Sequence, residues 1–237
     1  MRMKTLALIA GLFICSSSYA QLGFGPEASL GSSNVRFVPN SAFTSSSTSS
    51  IFSYKFGGVI DAPFSKHIYF QSGLSISHKG GNRNYSFYVS DSLNDYESRS
   101  LVLNYIDLPL TMVYKTRSQG KGRAILGMGA TMSYLMGGSN TFNAHGSYND
   151  TLFTRYTKTA PDQILRKFDI GATFFIGYEM PTGLYFKLYY TSGVKDISLI
   201  PSEVSKNKMW GISAGFLFGK GRNINKDSEG LIDKSTD

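Results

Sequence analysis

Three observations on this 237-residue chain predict an all-β fold, an eight-stranded antiparallel up-and-down transmembrane β-barrel with four long extracellular loops and short periplasmic turns. One apolar segment stands at the N-terminus, and no later run approaches the roughly 20 residues of a membrane helix. Eight segments then carry apolar side chains at every second residue, always on even-numbered positions. Long and short connections alternate between them, as in barrels that cross an outer membrane.

The N-terminal segment reads as a secretory signal peptide. Arg2 and Lys4 precede an apolar core from Leu6 to Ile14, and Ser18-Tyr19-Ala20 places small residues at the −3 and −1 positions of a cleavage site. Ile14 before Cys15 does not fit a lipoprotein signal, so Cys15 leaves with residues 1–20. The mature chain from Gln21 then has no cysteine and must fold without disulfides, which excludes a small stapled scaffold. One domain over 21–219 suffices at this length, followed by a polar tail, 220–237, that reads as disordered and periplasmic. Losing Arg2 and Lys4 lowers the formal charge from +8 to +6. The remaining basic residues are scattered, which argues against nucleic acid and toward acidic headgroups or surface polysaccharide.

The strand segments follow in order. The first carries Leu22, Phe24, Ala28 and Leu30; the second Phe52, Tyr54, Phe56 and Ile60; the third Ile68, Phe70, Leu74 and Ile76. The fourth has Val102, Ile106, Leu108, Leu110, Met112 and Tyr114, and the fifth Leu126, Met128, Met132, Tyr134 and Met136. Phe168 to Met180, Leu184 to Tyr190 and Trp210 to Phe218 complete the set. Each is about as long as the 9 to 11 residues of a tilted membrane strand. Long connections are expected at 32–50, 79–99, 138–165 and 195–207, rich in turn formers such as "TSSSTSS", "GGNRN" and "GGSN". Short ones are expected at 62–66, 116–122 and 181–183.

Odd-numbered positions form the opposite face and gather Glu27, Lys55, Asp61, Asp107, Arg123, Lys167, Asp169, Glu179 and Lys187. In a membrane barrel that face lines the lumen. Eight strands leave a bore barely wider than its side chains, so these charges are expected to pair and plug it. Asp107 would find Arg123, Lys167 or Lys187. Pro109 cannot donate to a ladder and a closed barrel has no free edge, so a bulge or local break is expected around Asp107 to Pro109. Tyr54, Tyr69, Tyr114, Tyr134, Tyr178, Tyr190 and Trp210 are candidates for an interfacial aromatic girdle.

Catalytic signals are weak. His78 with Ser77 and Asp91 imitates a hydrolytic triad but lacks a nucleophile elbow, and no metal or cofactor motif occurs, so neither an enzyme nor a cofactor is expected. Asp91-Ser92-Leu93 and Asp150-Thr151-Leu152 resemble a bacterial O-glycosylation signal, which makes Ser92 and Thr151 candidate acceptors. The long connections hold Phe43, Tyr85, Phe87, Tyr88, Phe142, Tyr148, Phe153 and Tyr156 with the basic Arg155, Lys158 and Lys195, a surface suited to an extracellular polysaccharide or protein ligand.

Three stretches carry a family resemblance: "YIDLPL" (105–110), "FDIGATFFIGYEM" (168–180) and "LYYTSGVKDIS" (188–198). Over roughly 21–219 the chain resembles the PorT-like outer-membrane β-barrel proteins of Gram-negative bacteria, a porin-family grouping. It departs in "GFGPEASLG", where Pro26 interrupts the first strand. The resemblance implies a barrel in the outer membrane, in contact with its lipid, and one namesake branch serves export of surface proteins. A monomeric structural or surface-interaction barrel is therefore expected. The alternatives are a narrow solute channel, an export accessory, a barrel-embedded lipid-modifying enzyme and a soluble lipocalin-like barrel.

Overall fold

The computed structural model describes residues 22–39, 45–90, 93–117, 122–145, 150–156, 165–198 and 203–219. These form ten strands: β1 (Gly23–Pro39), β2 (Ser45–Ser49), β3 (Ile51–Pro63), β4 (Ile68–Ser90), β5 (Leu93–Lys115), β6 (Arg123–His145), β7 (Asp150–Tyr156), β8 (Phe168–Glu179), β9 (Leu184–Gly193) and β10 (Glu203–Phe216). Every pairing is antiparallel. Eight strands, in the order β4-β3-β1-β10-β9-β8-β6-β5, close on themselves through β4–β5. The short β2 adds to β4 and β7 adds to β6.

Antiparallel partners point their side chains to the same side, so inside and outside stay consistent around a barrel only if neighbouring strands agree in phase. They do: Leu30 pairs with Ile212 and Tyr54, Ile76 with Ile106, and Met128 with Met112 and Phe174, all even-numbered. Large apolar side chains such as Phe52, Leu74, Met128, Leu188 and Ile212 consequently cover the outside, while odd-numbered residues fill the interior. An exposed apolar band of this kind is intolerable in water and suited to lipid.

Aromatic residues edge the band at both ends. Tyr54, Tyr134, Phe168, Tyr190 and Trp210 mark the extracellular side, and Phe24, Tyr114, Tyr178 and Phe218 the periplasmic side, all on the outer face. From Leu126 to Tyr134 along β6 the band spans about 20 Å across the membrane, taking a rise of about 3.4 Å per residue and a tilt of about 40°. Tyr69 does not belong to this girdle. Its odd position turns it inward, where it is buried.

Three of the four expected long loops are largely strand. β4 and β5 run as a hairpin of 23 residues each, joined across 91–92, and β6 is equally long. "GGNRN" is ladder, with Gly80 opposite Val102 and Asn84 opposite Ser98. Beyond the lipid a strand no longer needs apolar side chains on one face, so the alternation fades while the hydrogen bonds continue. Gly81 has a packing reason to be small, since a Cβ there would lie 2.7 Å from the Val35 amide nitrogen of β1. Tyr85, Phe87, Tyr88, Phe142, Phe153, Arg155 and Tyr156 accordingly sit on strands, whereas Phe43, Tyr148 and Lys158 lie outside the described residues. The periplasmic connection at 181–183 is tight. Gly183 turns at φ 94°, a conformation that favours glycine, and donates to the Met180 carbonyl at 2.9 Å.

Pro26 and Pro109, inside strands of the barrel wall, each interrupt one ladder without shifting register. On β5, pairing to β4 stops after Asp107–Ser75 and resumes at Leu110–Ser72, leaving Pro109 opposite Gly73. Its pairing to β6 is unbroken there, and the bulge in that ladder lies instead between Asn104 and Tyr105, where Met136 is left over. Pro26 interrupts β1–β10 between the Phe24–Phe218 bridge and Glu27–Gly215, and β1 still runs 17 residues.

Candidate functional site: a filled lumen

Inside the barrel, polar side chains lie in levels from the periplasmic end outward. At the bottom, the Lys115 ammonium of β5 lies between Asp61 of β3 and Glu179 of β8, bonding the Asp61 carboxylate and lying 2.9 Å from Glu179 Oε2. Arg123 approaches the other Glu179 oxygen at 2.8 Å and donates to the Tyr69 hydroxyl at 3.0 Å. Both cations also lie over the Tyr69 ring, at 4.3 and 5.0 Å from its centre.

Above this, Lys187 of β9 reaches Glu27 of β1 at 2.5 Å, and Tyr185 donates to the same carboxylate oxygen at 2.8 Å. Gln71 joins the two levels, accepting from Lys187 at 2.8 Å and donating to Asp61 at 3.4 Å. Lys55 forms no ion pair among the described residues and sits 4.9 Å over the Tyr189 ring. Hydroxyls of Thr131, Thr173 and Thr191 link in a row at 2.7 and 3.0 Å.

The upper level centres on Asp107. Lys79 of β4 approaches Oδ1 at 2.9 Å, and the Ser133 hydroxyl donates to the same oxygen at 2.6 Å. Asn207 donates to Asp169 Oδ2 at 2.8 Å and to the Tyr105 hydroxyl at 3.3 Å. Among the described residues Asp169 Oδ1 and Asn207 Oδ1 have no hydrogen-bond partner, and both side chains belong to residues lining a cavity of about 10 Å³ with Lys79 and Ser133, roughly the room one water needs. Over this level Val35, Leu101, Leu103, Tyr105, Leu135, Leu165 and Ile197 pack into a buried apolar cluster. The cluster lies on the extracellular side of the polar levels.

Of the nine lumen charges expected from sequence, eight face inward within these levels, and Lys167 stands apart. It is half-buried at the bend before β8, makes no ion pair among the described residues, and offers its carbonyl to the Leu135 amide at 2.7 Å. Asp107 pairs with none of Arg123, Lys167 and Lys187 but with Lys79. Sequence reasoning missed both Lys79 and Lys115, although each continues the odd-numbered inward face of its strand. Ser77 and His78, adjacent on β4, point to opposite sides: Ser77 is buried inside, and His78 stacks outside on Tyr54 at 4.9 Å with Nδ1 2.9 Å from Asn104 Oδ1. A triad cannot form from side chains on opposite faces of the wall. Ser92 and Asp91 lie outside the described residues, and Thr151 occupies β7 opposite Asn143. Among the described residues no cluster of His, Cys, Asp or Glu could hold a metal ion.

A void of about 40 Å³ lies at mid-height between Glu27, Lys55, Gln71, Pro109, Thr131 and Lys187. Ligand pockets are commonly about 300 Å³ or more. Both voids are far smaller and leave room for a few waters among charges and hydroxyls.

A closed barrel with a lipid-suited exterior and a charged interior matches the family model described as an outer membrane protein beta-barrel domain, over residues 16–199. The chain belongs to that outer-membrane β-barrel family. Its membership places the barrel in the outer membrane. Solved structures with likeness to it include Neisserial surface protein A, 11% identical over 82% of this chain and 97% of that one, with a TM-score of 0.35. Ail, the attachment invasion locus protein of Yersinia pestis, is 12% identical over 83% and 99%, with a TM-score of 0.32. The outer membrane protein OprG from Pseudomonas aeruginosa is 11% identical over 84% and 94%, with a TM-score of 0.37. No curated protein sequence matches the chain.

Proposed function

We propose that this outer-membrane barrel serves a structural or surface-interaction role, with its lumen plugged. The observation that carries the reading is the arrangement of the interior: interlocked ion pairs lie across the bore and a buried apolar cluster lies above them, which reads as a double closure. Function then resides on the outside, and the long β4, β5 and β6 carry a polar sheet beyond the lipid band. A polysaccharide or protein ligand of the cell surface is the partner class this sheet suits, through its aromatic and basic residues. The test compares cells displaying the full chain with cells whose 138–165 segment is shortened, scoring adhesion and surface-polysaccharide binding. Unchanged binding and adhesion would remove the surface-partner reading.

A second reading, accessory of an export machine, is supported by the resemblance of "YIDLPL" to the PorT-like family, one branch of which serves export of surface proteins. Secretion of surface proteins in a deletion strain separates it from the first. The exported form is proposed to begin at Gln21, with a monomeric barrel over 21–219 and a periplasmic tail. Intact mass of the purified native protein tests the cleavage after Ala20 and glycosylation at Ser92 or Thr151 together, and an unmodified mass ends the glycan proposal.

A further inference from the structure

Just outside the extracellular aromatic edge, the lipid-facing surface changes from apolar to basic along one strand pair. Arg36 of β1 stands directly opposite Lys206 of β10, and Lys208 stands opposite Asn34 one outward position lower. All are even-numbered, on the side of the wall that carries Leu30, Trp210 and Ile212. Like charges directly across a ladder destabilise it, so the Arg36–Lys206 pair is a place where a counter-charge from outside the chain would relieve repulsion. Among the described residues none of the three makes an ion pair. In the adjoining β9–β10 connection, Oδ1 of Asp196 accepts from the backbone amides of Ser198 and Ser205 at 3.0 and 2.8 Å.

Height selects the partner. Trp210 pairs with Ser32 on β1 and Tyr190 on β9 at the band's edge, and Lys208 and Lys206 lie two and four residues further out on β10. At about 3.4 Å per residue and a tilt of about 40°, that puts their backbone roughly 5–10 Å beyond the aromatic edge. The headgroup layer of a bilayer extends about 5–8 Å beyond its hydrocarbon core on each side. Beside the patch, Lys195 lies 5.4 Å over the outward-facing ring of Phe168, adding another cation at the band's edge.

We propose that Arg36, Lys206 and Lys208 form a docking site for the phosphates of an outer-leaflet glycolipid, the phosphorylated sugar resting on the basic patch and its acyl chains on the apolar wall around Leu30, Trp210 and Ile212. The site rests on membership in the outer-membrane family and is independent of whether the lumen conducts. Two adjacent phosphates would neutralise the Arg36–Lys206 repulsion and pin the β1–β10 seam, the ladder that Pro26 interrupts lower down.

Native mass spectrometry of the folded protein in detergent, titrated with bis-phosphorylated lipid A, tests the site. The triple variant Arg36→Gln/Lys206→Gln/Lys208→Gln is expected to bind on the order of tenfold to a hundredfold more weakly than wild type. Lys66→Gln, in a periplasmic turn, should match wild type, and phosphate-free lipid A should bind wild type and triple variant equally weakly. Equal affinity of wild type and triple variant for the phosphorylated lipid would overturn the proposal. So would equal wild-type affinity for the phosphate-free lipid, or complete displacement of the lipid by soluble heparin, which would mark the patch as a polysaccharide site. Should the triple variant lose heat-modifiable migration, Lys206→Gln and the charge-retaining Arg36→Lys replace it. The first must weaken binding and the second preserve it.

Discussion

Lys79 and Asp107 meet diagonally across the β4–β5 ladder, Nζ 2.9 Å from Oδ1, although the residue opposite Lys79 is Leu103. Both side chains are almost fully buried, at 5% and 3% exposure, so each is the other's principal counter-charge in a nearly dry level of the lumen. Removing one partner of such a pair strands the other. Asp107→Ala is therefore expected to destabilise the barrel by about 3 to 5 kcal/mol. The double variant Lys79→Met/Asp107→Leu should recover most of that loss, because replacing a whole buried pair by apolar side chains is often neutral. Urea unfolding from lipid vesicles, followed by the fluorescence of the single tryptophan, Trp210, measures both. Equal losses in the single and double variants would show that packing around Asp107, and not charge, is what matters.

Two closures in series predict how the lumen responds to opening. Wild-type protein in a planar bilayer should give no single-channel steps. Lys187→Ala enlarges the void at mid-height but leaves Leu101, Leu103 and Leu135 over the mouth, so it too should stay silent. Conductance should appear only when Lys187→Ala is combined with Leu103→Ala and Leu135→Ala. Steps in the wild type would refute the plug, and steps in Lys187→Ala alone would show that the apolar cluster does not seal.

How far the sequence revealed this interior depends on where the period-two signal stops. Inside the lipid each outward residue is apolar, and the contrast makes Glu27, Asp61, Asp107 and Glu179 readable as inward charges. Lys79 falls three residues past Ile76, the last apolar residue of its segment, and therefore reads as loop, although β4 continues to Ser90. Lys115 is the terminal residue of β5 and reads as the start of a turn. Partner choice is not legible at all. Asp107 takes Lys79 because two strands neighbouring in the sheet are offset by the barrel's stagger, a property of closure that no single strand encodes. Tyr69 shows the same limit in reverse, since tyrosine suits both a membrane interface and a lumen, and only its odd position separates the two.

Pro109 offers a test of the wall. Pairing from β5 to β4 skips its position and that of Leu108 before it, and Gly73 faces it. Pro109→Ala restores an amide that could donate across this gap, for about 0.5–1.5 kcal/mol. It also frees the unfolded chain, at a cost of about 0.4–1 kcal/mol. These nearly cancel, so stability should change by less than about 1 kcal/mol while local protection changes clearly. Hydrogen exchange should show slower amides across 72–75 and at the new residue 109. Unchanged exchange would mean that the gap is held open by its neighbours and not by the proline.

Gly127 on β6 marks a place where an absent side chain is structural. It faces inward opposite Phe175, and a Cβ built on it would come within 2.2 Å of the phenyl ring, with three ring atoms closer than 3 Å. That ring is buried and supports the Lys187 ammonium at 4.6 Å, so it cannot swing away without disturbing the bond from Lys187 to Glu27. Gly127→Ala should therefore cost about 1–3 kcal/mol, the usual range for overpacking. Adding Phe175→Leu should return part of it by making room for the methyl group. A fully additive double variant, measured by the same urea titration, would show that the two residues do not compete for space.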